Sequence, residues 1–416
     1  MKLWIYIVRR MLLLIPVVIG VMTITFLITS AVPVNERMIS QFGAKPSHGG
    51  VNPYTQYAPC TALGINKPGN CVNPQYTYYF DKLGLNQPVP VQWGLYIYNA
   101  FTGNWGVTNP GSAAVALGIV PAGYPVITVI GWFLPFTLEL AFLALILILA
   151  LAIPIGNLSA VYRNRPFDQA SRVISFSGFA LPFFLLGTLG LIGATELLGG
   201  AVKQCDGFSS VFFQFYNSWP SWYCLPPGGV NVQPAFIHTY LNTGPTGFPT
   251  IDSIIYAFGG KVGSTQWNVG WYLAGDTIVR LIIPALVITF GSLAGILRYV
   301  RNSMLEVMNL DFVRTARAKG VPERLVVRRH AGRNSLMVTI TILGLTFAFF
   351  IVGFPVLEDV FHLRGLGLLF TDSILPPTYD YGLIFGTTIL FTLIVVTANL
   401  IVDVLYAYLD PRVRLG

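Results

Sequence analysis

Long apolar runs recur along the chain and are separated by polar stretches. A bilayer core about 30 Å thick is crossed by roughly 20 apolar residues in an α-helix, which rises about 1.5 Å per residue. Six runs approach or exceed this length and predict an all-α, polytopic membrane protein with six transmembrane helices. The predicted spans are Met11–Val32, Val129–Ile155, Val173–Leu198, Arg280–Leu297, Leu336–Leu357 and Leu383–Leu405.

Four prolines fall inside or at the ends of these runs, at Pro16, Pro135, Pro182 and Pro284. Membrane helices tolerate proline where neighbouring groups satisfy the freed backbone carbonyls. The sequence therefore predicts kinks at these positions rather than breaks.

The composition narrows the class of protein. The chain has 416 residues, of which 54% are hydrophobic and 10% are charged, whereas a soluble domain carries about 25% charged residues. These values argue against a soluble globular protein, a disordered protein and a nucleic-acid binder. Membrane lipid is the expected surrounding, and no nucleic-acid partner is expected.

The basic residues are distributed unevenly between alternate loops. The N-terminus, the loops 157–172 and 298–335 and the C-terminus hold 17 of the 25 Lys and Arg residues. The segments 33–128, 199–276 and 358–381 hold 7, although they are longer in total. Because cytoplasmic loops carry the excess of Lys and Arg, both termini and the 298–335 loop are predicted to lie in the cytoplasm.

The two long outer segments, 33–128 and 199–276, contain all four cysteines, as the near pairs Cys60 with Cys71 and Cys205 with Cys224. An oxidising exterior permits disulfides, and closing so short a loop contributes roughly 3 kcal/mol. Disulfides in both pairs are predicted, with free buried thiols as the alternative. No metal site is expected, because no histidine lies close to either pair.

Sequence signatures of catalysis are absent. The string nearest to a phosphate-binding loop, residues 259–262, lacks the first glycine and the hydroxyl residue that binds magnesium. No zinc-protease or serine-hydrolase motif occurs either. The chain is expected to be non-catalytic and to hold no cofactor.

Few charges lie within the predicted spans. Glu139 and Asp403 are the main intramembrane polar residues, with Glu196 near a helix end. Inserting such a group costs about 2.5–3.5 kcal/mol, so each is a functional candidate by default. We favour a structural interpretation, in which hydroxyls or amides such as those of Thr137 or Asn399 satisfy the carboxylates.

The 298–335 loop carries the most informative pattern. Asp311 is a favourable N-cap, Gly320 a favourable C′ residue, and Pro322 stops propagation. These signals bound a two-turn helix, Phe312 to Lys319, which is too short to be stable alone. Its alanines and basic residues suit a helix seated in a partner's groove. A second helix is predicted from Glu323 to about Asn334. The alternative role for the basic residues of this loop is to hold the loop beside anionic lipid, without a protein partner.

At this loop the chain resembles permease subunits of ATP-binding-cassette importers, most closely those of the dipeptide, oligopeptide and nickel family. The resembling string is Val313-Arg314-Thr315-Ala316-Arg317-Ala318-Lys319-Gly320. Gly332 departs from the leucine expected in the family. Further resembling segments are Arg9 to Pro33, Gly103 to Gly106, Pro135 to Leu140, Arg280 with Pro284 to Leu286, Gly365 to Gly367, and Asn399 to Arg412.

This resemblance implies a type I importer fold with large extracytoplasmic insertions. It divides the chain into the first span (1–32), an outer loop region (33–128) and a permease core (129–416) that contains the insertion 199–276 and the coupling loop 298–335. It implies a second homologous permease, an extracytoplasmic solute-binding protein, and two cytoplasmic ATPases that hold ATP and magnesium. The ATPase-coupling residues would be Asp311, Phe312, Arg314, Thr315, Ala316, Arg317, Ala318, Lys319 and Gly320.

Peptide is the substrate that the resemblance favours, carried across the cell membrane. Oligosaccharides and nickel are the alternatives within the family. A stand-alone secondary transporter is the alternative from another class, and the scarcity of intramembrane charge and the capped loop helix count against it.

Overall fold

The computed structural model describes residues 3–42, 51–109, 120–202, 248–259 and 265–409, apart from 64, 83, 121, 353, 362, 364 and 376–378. This part of the chain is mostly helical, as predicted. Its strands are β1 (Tyr57–Pro59) and β2 (Asn70–Val72). Its helices are α1 (Leu3–Ser30), α2 (Val34–Phe42), α3 (Pro74–Lys82), α4 (Val89–Thr102), α5 (Val126–Val161), α6 (Pro166–Ala180), α7 (Phe183–Val202), α8 (Pro249–Gly259), α9 (Thr265–Met308), α10 (Asp311–Ala318), α11 (Glu323–Leu325), α12 (Gly332–Val352), α13 (Pro355–Val360), α14 (Leu366–Ser373) and α15 (Tyr381–Leu409).

Within the described residues, four helices contain a stretch long and apolar enough to cross a membrane, namely Val8–Ser30, Val126–Val161, Leu281–Met308 and Tyr381–Val404. A fifth is reached if α6 and α7 form one bent span. The predicted count of six is therefore not confirmed. At the predicted fifth span, the described residues of α12 include the shorter apolar stretch Ile342–Val352.

The predicted third span is broken at Pro182. Helices α6 and α7 meet there at 102°, so the expectation of a kink was wrong at this position. Leu181, directly before the proline, is extended with φ −94° and ψ 133°, because a proline disfavours the helical conformation of the preceding residue. Pro16, Pro135 and Pro284 lie inside continuous helices.

One compact unit comprises Met1–Arg10, Leu134–Gly367 and Thr397–Gly416. Its central element is α9, which packs against α6, α7, α8 and α12. Glycines permit close approach of these helices, as is usual between membrane helices. A β-carbon on Gly178 would overlap the carbonyl of Phe290 in α9, and one on Gly344 would overlap Val402 of α15.

A second compact unit comprises Met11–Phe133 and Leu368–Val396. Strands β1 and β2 form an antiparallel hairpin in which Ala58 lies opposite Cys71. The indole of Trp93 in α4 donates to the Thr23 hydroxyl of α1 at 3.0 Å. The described part of 33–128 is therefore folded, whereas 199–276 lies mostly outside the described residues.

Candidate functional site

Helix α10 begins one residue earlier than predicted. Leu310 is extended and occupies the N-cap, and Asp311 is the first helical residue, so the prediction of Asp311 as N-cap was wrong. The turn that ends α9 sets this start, because Leu310 N–H donates to the Val307 carbonyl at 3.1 Å. The Asp311 carboxylate still lies in the first turn, where negative charge is favourable, and is 3.6 Å from Arg314 Nη1.

Helix α10 ends at Ala318, one residue before the predicted Lys319, and Gly320 is its C′ residue as the sequence predicts. Gly320 is left-handed, with φ +74°. Its N–H donates to the Arg317 carbonyl at 2.9 Å, and the Val321 N–H donates to the Ala316 carbonyl at 3.2 Å. These two bonds form a Schellman motif, which satisfies the last carbonyls of the helix and favours glycine at the left-handed position.

One face of α10 packs on the chain's own helices. Val313 and Ala316 are buried in it. Together with residues of α5, α9 and the segment after α11 they form what we call the loop core: Ala160, Met304, Val313, Ala316, Val326 and Ala331. The short helix thus gains the packing it needs, and Ala316 faces inward rather than toward a partner.

The other face of α10 is exposed. It presents Phe312, which is 40% exposed, with Arg314, Thr315, Ala318 and Lys319. Phe312, Thr315 and Lys319 are spaced three and four residues apart and so share one side of the helix. The arrangement offers an aromatic ring and cationic groups on a helix that packs on the loop core.

An ion pair holds the segment after α10. Arg317 donates through Nε and Nη2 to the Glu323 carboxylate at 3.0 and 2.6 Å. The hydrogen bond from Arg317 lowers the pKa of Glu323 below its ordinary value, against an opposing effect of burial. Both groups are more than a third exposed, so the pair contributes less than about 1 kcal/mol.

The predicted second helix does not end near Asn334. Helix α11 passes into a π turn, Val326–Ala331, and this continues directly into α12. The Gly332 N–H donates to the Val327 carbonyl, and a β-carbon at Gly332 would lie 3.0 Å from that oxygen. A leucine would be crowded here, which gives a physical reason for the departure from the family pattern.

A buried carboxylate that sequence reasoning missed supports α9 near this loop. Asp168 of α6 is fully buried and accepts hydrogen bonds from Ser159 and the Asn164 N–H. Arg301 of α9 donates to both of its oxygens, at 2.8 and 3.1 Å, and Arg172 does the same from the next turn of α6. The only sign of this site in the sequence was that Asp168 lies among the arginines of the 157–172 loop.

Two of the resembling motifs meet at a second buried acid, Glu358 of α13. The Thr137 hydroxyl donates to Glu358 Oε1 at 3.2 Å and accepts from the Leu366 N–H at 2.8 Å. A β-carbon on Gly365 would overlap the Glu358 carboxylate, and one on Gly367 would lie 2.8 Å from Pro355 Cα. The glycines are therefore required by the close approach of this loop to Glu358.

The two carboxylates that were predicted to lie within the membrane both have partners, although not the predicted ones. Glu139 accepts from the backbone N–H and the hydroxyl of Thr250, each at 3.0 Å, and so caps the start of α8. Asp403 lies 3.0 Å from Arg10 Nη1 and joins α15 to α1. These contacts favour the structural interpretation for both residues; the side chain of Glu196 lies outside the described residues.

Cys60 and Cys71 form a disulfide with a Cα–Cα distance of 4.9 Å, whereas Cys205 and Cys224 lie outside the described residues. Among the residues that the structure describes, no group of three His, Cys, Asp or Glu side chains could hold a metal ion.

Long apolar helices, joined by a loop that carries a packed and outwardly basic helix, are typical of a multi-pass membrane protein. Residues 152–415 match the family described as binding-protein-dependent transport system inner membrane component. The chain belongs to this family, which confirms the resemblance read from the loop.

Known relatives cover nearly the whole chain. It is 32% identical over 409 residues to the oligopeptide transport system permease protein AppB of Bacillus subtilis, covering 98% of this chain and 99% of the relative. It is 32% identical over 335 residues to the probable D,D-dipeptide transport system permease protein DdpB of Escherichia coli K12, covering 80% and 83%. The dipeptide transport system permease protein DppB of the same strain is 28% identical over 410 residues, with 98% of both covered.

Proposed function

We propose that the chain is the permease subunit of an ATP-binding-cassette importer and forms half of a translocation path for peptides. The observation that carries this proposal is the family membership together with relatives whose names specify oligopeptide and dipeptide transport. Oligosaccharides and nickel are the competing substrates, and a solute-binding protein would deliver the substrate.

The partners in this proposal are those that the family resemblance implies. Helix α10 would couple nucleotide-driven closure of two ATPase subunits to the membrane helices, and a homologous permease would supply the other half of the path. ATP and magnesium would be held by the ATPases. The exposed face of α10 and its seating on the loop core support this role, because a coupling element must both contact a partner and transmit its displacement.

The proposed location is the cell membrane, with both termini and α10 in the cytoplasm. The distribution of Lys and Arg supports this orientation. Maleimide labelling of single cysteines introduced in the 298–335 loop and in the 51–102 segment, from either side of sealed cells, tests it. Labelling of the cysteine in the 298–335 loop from outside the cell would contradict the proposed orientation.

The coupling role is tested at Gly320. Because nothing lies within 4 Å of a β-carbon there, the backbone conformation alone penalises substitution. Gly320→Val should strain the left-handed turn by about 1–2 kcal/mol, while Gly320→Asn, whose side chain tolerates this conformation, is the matched control. We expect the valine variant to insert in the membrane but to lose peptide uptake relative to ATP hydrolysis.

The measurement uses the assembled transporter in proteoliposomes, with uptake, ATP hydrolysis and copurification of the ATPases followed together. Equal coupling in both variants, with unchanged ATPase association, would exclude the coupling role. Uptake driven by an ion gradient without ATP would instead identify a secondary transporter. Competition by peptides, oligosaccharides or nickel then distinguishes the substrates.

A further inference from the structure

A cavity of about 160 Å³ lies between α6 and α9, toward the end of α9 that leads into α10. Three arginines line it, Arg172, Arg298 and Arg301, together with Asn302. We propose that this arginine cavity binds the phosphate group of an anionic phospholipid.

The cavity carries excess positive charge. The buried carboxylate of Asp168 pairs with two of the arginines, and Arg298 makes no ion pair with any residue that the structure describes. Three guanidinium groups and one carboxylate leave a formal charge of +2. A phosphate group is a fitting ligand because guanidinium groups recognise it through paired hydrogen bonds.

Asp168 also holds two of the arginines in fixed positions. Arg172 and Arg301 each use Nε and Nη2 toward its oxygens. The Nη1 groups make no hydrogen bond to Asp168 and remain available as donors. Since the side chains are already ordered, a ligand would lose less entropy in binding them.

The spacing along α9 is suited to one ligand. Arg298, Arg301 and Asn302 are three and four residues apart, so they share one face of the helix. The carboxamide of Asn302 adds a donor beside the guanidinium groups. The pattern therefore concentrates hydrogen-bond donors on the side that faces α6.

The apolar wall of the cavity favours a lipid over a free anion. Phe176, Ala294 and Leu297 line the cavity with the arginines. Phe176 also belongs to an exposed apolar stripe of α6 with Val173 and Phe179. A headgroup phosphate in the cavity would leave acyl chains along this stripe, and basic pockets between membrane helices are characteristic sites for anionic headgroups.

The test is native mass spectrometry of the full-length protein in a neutral detergent, titrated with phosphatidylglycerol or phosphatidylcholine. Arg298→Gln removes a cavity charge without breaking an internal ion pair, and Arg163→Gln removes an exposed charge from the 157–172 loop as the matched control. At about 1 kcal/mol for a basic residue near the membrane surface, Arg298→Gln should weaken phosphatidylglycerol binding about fivefold. The Arg163→Gln variant should bind it as the unmodified protein does.

Inorganic phosphate, added as a competitor, distinguishes the source of the phosphate. Failure to displace phosphatidylglycerol supports the lipid. If inorganic phosphate displaces phosphatidylglycerol and its own binding depends on Arg298 in the same way, the ligand of the cavity is a free phosphate ion and not a lipid. The proposal would be overturned if Arg298→Gln and Arg163→Gln weakened phosphatidylglycerol binding equally, or if phosphatidylcholine bound as well as phosphatidylglycerol. The variant Arg298→Lys keeps the positive charge and should retain binding, which shows that the loss in Arg298→Gln is not caused by misfolding.

Discussion

Replacing Asp168 by asparagine should destabilise the protein more than any other single charge removal near the loop. Arg301 is only 13% exposed, so losing the carboxylate leaves a guanidinium with little water to compensate it. Removing one partner of a buried ion pair costs about 3–5 kcal/mol. Arg172 is 41% exposed, and solvent screening limits its share to about 1 kcal/mol. We expect a loss of about 3 kcal/mol for Asp168→Asn.

The assay is reversible unfolding in mixed micelles, followed by far-ultraviolet circular dichroism. Arg172→Gln serves as the control and should cost about 1 kcal/mol. The double variant Asp168→Asn with Arg301→Gln should lose at least about 1 kcal/mol less than the sum of the single variants, because both report the same interaction. An Asp168→Asn variant within about 0.5 kcal/mol of the unmodified protein would refute the reasoning.

Three further predictions concern packing, the disulfide and the loop. Gly344→Ala should lose about 1–3 kcal/mol by overpacking against α15, whereas Gly295→Ala, with open space around the new methyl group, should not; the same unfolding assay compares them. Maleimide should label Cys60 and Cys71 only after reduction, and labelling in the native protein would contradict the disulfide. The pKa of Glu323 is lowered in the folded state, so the ion pair with Arg317 stabilises the loop at neutral pH and loses this effect as the pH falls through the lowered pKa. Glu323→Gln should cost about 0.5 kcal/mol and so speed amide exchange in α10 about twofold at neutral pH. Unchanged exchange would show that the ion pair does not stabilise α10.

The features that could be predicted are those that local chemistry determines. The apolar runs indicated helices because a membrane helix requires its own stretch of apolar residues. Gly320 and Pro322 located the end of α10 because the left-handed turn and the missing N–H act within a few residues. The break at Pro182 was misjudged, although the extended conformation of Leu181 is also local, because tolerance of proline depends on what neighbouring helices can satisfy.

The features that escaped prediction depend on contacts between distant parts of the chain. Asp168 and Arg301 are 133 positions apart, and nothing in either local sequence marks the other as its partner. Glu358 was assigned to an outer loop by its position between apolar runs, yet it is buried beneath the glycines of that loop. For Asp403 the sequence offered an amide one turn away, and the structure supplies Arg10 from the other end of the chain.

The π turn between α11 and α12 makes the position of a length change in this segment as important as its composition. A π turn is equivalent to one extra residue within an α-helix, and each residue turns an α-helix by about 100°. Because the π turn absorbs the extra residue, deleting one residue from 326–331 would restore the regular helical repeat and keep the phase of α12. Deleting one residue from 332–334, where the helix is regular, would instead rotate the rest of α12 relative to α10. The Ser303 hydroxyl, which donates to the Ser335 carbonyl at 2.9 Å, would meet a different side of the helix only after the second deletion. A single deletion should therefore be tolerated within 326–331 and not within 332–334, so that the π turn is where this segment can change its length without changing the phase between the loop helix and α12.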